Sequence, residues 1–156
     1  MSASVTSITS VRPKEFHFPL TVAWVGGRRV RAHVDEKQPV DVCPPIVFSG
    51  EDASTWSPED FFVAAAASCL AVTFTGIAER AGLEYDDLVV AADGVCGLRP
   101  DGRFGFTGLW LRLELEIPDP DDEAQARELA ERAEDTCLVT ASLDVPVETD
   151  IVINGR

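Results

Sequence analysis

Cysteine is the residue type in this chain best suited to covalent chemistry, and it occurs four times, at Cys43, Cys69, Cys96 and Cys137. The four are widely spaced and form no CxxC. In a cytoplasmic chain that pattern favours free or redox-active thiols over a structural disulfide framework. Cys69 lies in the middle of the apolar stretch WSPEDFFVAAAASCLAVTF, Trp56 to Phe74, and Cys137 follows a second helical pattern. Taken singly, each reads as a small buried hydrophobe. Held within roughly 4.4–6.8 Å between Cα atoms, the two could form a redox couple. The sequence leaves both readings open.

Two charges stand out beside the thiols. Arg28 follows Gly26-Gly27, where a hairpin would expose it, and Glu59 sits where an acid favours the positive end of a helix dipole. About ten residues of straight helix place Glu59 about 15 Å from Cys69, so the two cannot meet along one unbroken helix. Joint action requires a second chain or a break. Other chemistries lack their residues. The histidines, His17 and His33, form no ligand cluster with the cysteines at a zinc spacing, and no GxSxG or strand-linked GxGxxG occurs.

The elements that must position these groups can be read along the chain. Residues 1–13 are small and polar and read as a loose tail. From Glu15, strand composition flanks Gly26-Gly27, a hairpin signal. A short strand is expected near Pro45–Phe48, kept from the centre of a sheet by Pro44 and Pro45. Ser57-Pro58-Glu59-Asp60 is a strong helix start, and Gly82 a natural stop after Ala81. The helix is apolar nearly all round, which demands surroundings that one small domain rarely supplies; two such helices packed in a homodimer would do so. Two long strands follow around Pro100-Asp101-Gly102. The second alternates Leu109, Leu111, Leu113, Leu115 and Ile117 with polar or wet-facing positions. A helix over about 121–136 places Ala126, Leu129, Ala130 and Ala133 on one face, and VPVETDIVI forms a last strand. The order is α+β, without regularly repeated βαβ units.

The 156 residues suit one domain, taken as 14–156 after the tail. A net charge of −14 argues against nucleic acid or an anionic membrane surface as partner. The N-terminus lacks the apolar core of a secretory signal. No window is expected to reach the roughly 18 uncharged apolar residues of a membrane span. The nearest, Phe61–Ile77, is diluted by Ser68, Thr73, Thr75 and Gly76 and reads as a buried helix. A cytoplasmic location is the expectation.

GGR at 26–28, SPEDFFVAAAASC at 57–69 and CLVTASL at 137–143 occur in order, accompanied by PPIVFSGED and AERAGL. Together they resemble the OsmC/Ohr family (osmotically inducible and organic hydroperoxide resistance proteins), closer to the OsmC-like branch. The resemblance spans nearly the whole chain after about residue 20. It implies an intertwined α+β homodimer, with antiparallel sheets wrapped around two long central helices. It also implies thiol-dependent peroxidase activity toward organic hydroperoxides, with a small thiol or dithiol as reductant and no bound cofactor. By the same resemblance, Cys69 is the peroxidatic thiol, Cys137 the resolving thiol, Arg28 the arginine supporting the thiolate and Glu59 its acidic partner. Leu138, Val139, Thr140 and Ala141 depart from the Pro and polar pair usual after the second cysteine of the Ohr branch. Phe61, Phe62 and Phe74 are candidate apolar neighbours for an organic peroxide. The competing expectation is a non-catalytic dimer of the same fold that binds an apolar small molecule.

Overall fold

The structure is a computed structural model and describes residues 14–156; the tail expected over residues 1–13 lies outside them. Strands β1 (Thr21–Gly26), β2 (Arg29–His33) and β3 (Val40–Val42) form a small antiparallel sheet in that order. The expected hairpin turns at Gly26 and Gly27, whose φ of 123° and 55° L side chains rarely adopt. The strand expected near Pro45–Phe48 is instead a single 3-10 turn, Ile46–Phe48, and the strand lies earlier, at β3. Pro44 and Pro45 carry no N–H to donate to a ladder, so the chain leaves the sheet before them.

The segment between β3 and the long helix is tied to β2 through Asp52. Its carboxylate accepts hydrogen bonds from the backbone and hydroxyl of Ser54, from Thr55, and from Arg29 at 2.8 Å. The Ser54 hydrogen bonds, then those of Arg29 and Thr55, hold Asp52 well below the usual carboxylate range. A depressed carboxylate stabilises the fold above its ordinary pKa and loses that contribution as pH falls.

Helix α1 (Pro58–Ala81) starts at the N-cap anticipated at Ser57, where Asp60 completes a capping box. The Ser57 hydroxyl accepts from the Asp60 N–H, and the Asp60 carboxylate accepts from the Ser57 N–H at 2.8 Å. It ends at Gly82, left-handed at φ 70°. Strands β4 (Asp87–Leu98) and β5 (Phe104–Ile117) form a long antiparallel hairpin with a bulge between Val95 and Cys96. Helix α2 (Glu123–Asp135), entered through a 3-10 turn at Pro120–Asp122, leads to β6 (Val147–Gly155). Strand β6 runs parallel to β5, so α2 is a crossover and the β5–β6 pair departs from the antiparallel pattern expected throughout.

The core lies between this second sheet and the two helices. Leu109, Leu111, Leu113, Leu115 and Ile117 of β5 are buried, as their alternation requires. Each contributes about 2 kcal/mol by leaving water. They meet Leu70, Phe74 and Ile77 of α1, and α2 presents Ala126, Leu129, Ala130 and Ala133, the face read from sequence. Helix α1 is not enclosed. One 18-residue window has a mean hydropathy of 2.0, and only 28% of it is buried. By length and composition the helix could cross a membrane, contrary to the expectation from its diluting polar residues. In this fold its buried face packs on β5 and α2, while Phe61 and Val72 remain exposed.

Candidate active site

Cys69 and Cys137 come from different elements, and the fold brings them together. Cys69 lies near the middle of α1, on the side that meets α2. Helix α2 stops at Thr136, whose hydroxyl turns back to the Arg132 carbonyl at 2.7 Å. The Cys137 N–H then reaches the Glu134 carbonyl, and the Cys137 carbonyl accepts from the Ala141 N–H at 3.1 Å. This tight turn presses the Cys137 side chain into the core, where it is fully buried. Both are free thiols at the same core, and Cys137 is near enough to favour the Cys69 anion.

Burial alone would push the Cys69 thiol up. It is outweighed by the Val139 N–H, the Cys137 thiol, the Thr73 hydroxyl and the Leu138 N–H, which together bring Cys69 below the ordinary thiol value. The arrangement supplies a half-buried sulfur with a stabilised anion and a second sulfur shielded from solvent beside it.

Arg28 and Glu59 are not part of that cluster within one chain. Arg28 donates to the carbonyls of Phe48 and Ser49 at 3.2 and 3.0 Å. Glu59, in the first turn of α1, has a buried Oε2 without a hydrogen-bond partner. The two line one cavity of about 320 Å³, together with Cys43, Pro58 and Phe48. The separation of Glu59 from Cys69 follows the helix geometry anticipated above.

A larger cavity of about 670 Å³ adjoins Glu59, walled by Phe48, Trp56, Val63, Phe106 and Cys96. The three phenylalanines singled out from sequence lie elsewhere. Phe74 is fully buried against Tyr85, Phe62 stacks on Phe106 at 4.1 Å, and Phe61 stacks on Trp56 at 5.5 Å. Trp56 and Phe106, which the sequence reading did not single out for the site, are aromatic walls of this cavity together with Phe48. Trp56 had a usable signal: it directly precedes the N-cap and Phe61 is the fourth helical residue, the two positions of a hydrophobic staple. Thr73 and the Leu138 and Val139 amides carried none.

The sequence profile of the family described as OsmC-like protein matches residues 50–152. The chain belongs to the OsmC-like family. A relative in Bacillus subtilis (strain 168), the uncharacterized protein YmaD, is 26% identical over 88% of this chain and 93% of its own. Among solved structures, an OsmC-like protein of unknown function from Vibrio cholerae superposes with a TM-score of 0.81 at 19% identity, covering 88% of this chain and all of that one. An organic hydroperoxide resistance protein from Elizabethkingia anophelis gives a TM-score of 0.69 at 21% identity, over 93% of this chain and 100% of that one. The organic hydroperoxide resistance protein OhrB of Bacillus subtilis gives 0.59 at 21%, over 90% and 98%. At these identities the structural likeness shows the OsmC fold, including its two sheets and paired helices.

Proposed function

We propose that this protein is a thiol-dependent peroxidase that reduces organic hydroperoxides, serving oxidative-stress defence in the cytoplasm. One observation carries the reading: the fold sets Cys69 beside the shielded Cys137 at one core, and the donors around Cys69 lower its thiol pKa. The Cys69 thiolate attacks the distal peroxide oxygen, forming an S–O bond as the O–O bond breaks. The alkoxide leaves and takes a proton to become the alcohol. Cys137 then attacks the resulting sulfenic acid, forming the disulfide and releasing water, before further oxidation. A small thiol or dithiol returns the two electrons by exchange.

In this reading the chain works as a homodimer. The exposed apolar side chains Phe61 and Val72 of α1, with Phe18, Val22 and Trp24 near the first strand, support a partner that covers them. Arg28 and the unpartnered Glu59 of one copy would then reach the Cys69 of the other. The net charge of −14 argues against nucleic acid or an anionic membrane surface as partner. With dithiothreitol as reductant, cumene hydroperoxide is expected to be consumed catalytically and faster than hydrogen peroxide. Equal rates would remove the organic preference, and no consumption would remove the peroxidase reading.

A second reading has its own observation. The 670 Å³ cavity is largely apolar and neither pair cysteine lines it, which suits a non-catalytic dimer that binds an apolar small molecule. Saturable binding of a hydrophobic fluorophore, by a protein whose thiols stay intact in peroxide, would favour this reading.

A further inference from the structure

Three hydroxyl side chains on the middle of α1 go different ways. Ser68 donates to the Ala64 carbonyl at 2.6 Å, and Thr75 to the Val72 carbonyl at 2.9 Å. Bonding back to the preceding turn is the ordinary habit of Ser and Thr within a helix. Thr73 does not follow it. Among the described residues its hydroxyl has one partner, the Cys69 sulfur one turn earlier, at 4.0 Å.

The turn after α2 packs against the same core as Cys69. There Ala141, Ser142 and Leu143 give their N–H groups to the carbonyls of Cys137, Val139 and Thr140, while the Leu138 and Val139 N–H groups have no backbone acceptor. Val139 packs against the same core as Cys69, and these two amides are the backbone donors that favour the Cys69 anion. Free N–H groups and a free hydroxyl converging on one sulfur favour its anion, because hydrogen bonds to a charged acceptor are the stronger kind. Arg28, engaged with Phe48 and Ser49, supplies none of this.

We propose that Thr73 is a catalytic residue of the Cys69 site: its hydroxyl, with the Leu138 and Val139 amides, holds the sulfur as thiolate, so that activation begins within a single chain. The proposal rests on Cys69 being the reactive thiol. The arginine of a second copy then adds to an already favoured anion instead of creating it.

The test is the pH profile of Cys69 alkylation by iodoacetamide in the full chain, read by peptide mass, for wild type, Thr73→Val and Thr73→Ser. Losing one hydrogen bond to the anion slows Cys69 alkylation at pH 7 about fivefold in Thr73→Val, moves its inflection to higher pH, and leaves Cys96 unchanged. Thr73→Ser restores the wild-type profile. A wild-type profile for Thr73→Val overturns the proposal, as does a Thr73→Ser that behaves like the valine variant. If Thr73→Val loosens the helix, seen as faster Cys96 labelling, Leu138→Pro against Leu138→Ala decides. Leu138 is 69% exposed, so neither change empties the core, and only the proline removes the N–H. A slower Cys69 in the proline variant alone supports the cradle; equal rates overturn it. Peroxide turnover is not in this readout. A chain that leaves cumene hydroperoxide untouched yet shows the Thr73-dependent profile loses the peroxidase reading and keeps this one.

Discussion

Cys69 on α1 and Cys96 on β4 are both half-buried thiols, and their surroundings drive them in opposite directions. Burial raises both. At Cys96 nothing opposes it, and the nearby Glu59 charge raises the thiol further. At Cys69 two amides, a hydroxyl and a second thiol oppose burial and prevail. The donors around a cysteine therefore decide its reactivity more than its exposure does, and only one of these two places is built for an anion.

The largest expected difference is in turnover. Cys69→Ser lowers the rate of cumene hydroperoxide consumption by roughly 10³-fold or more, because it removes the thiolate that attacks the peroxide. Cys96→Ser leaves the rate close to wild type. Comparable losses in both variants would erase the contrast between the two thiols.

A smaller effect separates them without peroxide. The thiolate is the species that alkylates, so a lowered pKa brings the inflection of Cys69 labelling to the acid side of that for Cys96. At pH 7 Cys69 therefore reacts faster, and the gap narrows as pH rises and Cys96 ionises. Coincident profiles, read by peptide mass after timed iodoacetamide quenches, would break the comparison. The smallest effect concerns Glu59. Glu59→Gln removes the neighbouring charge, so Cys96 labelling at pH 7 rises about twofold, as expected for a partly screened charge. Burial, the larger cause, remains. Cys96 labelling unchanged by this substitution would mean that burial alone holds that thiol up.

Much of the fold was legible because its signals are local. The Ser57 cap, the Gly82 stop, the alternation along β5 and the alanine-rich face of α2 each follow from spacing within a few residues. The parallel pairing of β6 with β5 was not, since it depends on where α2 carries the chain. Nor was the turn at Ile46–Phe48, where apolar composition suggested a strand and the prolines removed the donors it needed. Of the site, the two cysteines could be named from their surroundings and the family resemblance, but their proximity could not. It arises from a helix end far along the sequence. Backbone amides have no residue type to reveal them, and Thr73 looked like a polar interruption of an apolar helix. The fold gives both their meaning by gathering them around one sulfur.

The central claim is that Cys69 and Cys137 form a working redox pair. Reduced protein exposed to one equivalent of cumene hydroperoxide, quenched in seconds and mapped by peptide mass, tests it most directly. A Cys69–Cys137 disulfide, with Cys43 and Cys96 still reduced, is the result the account predicts. Four intact thiols after minutes would contradict it.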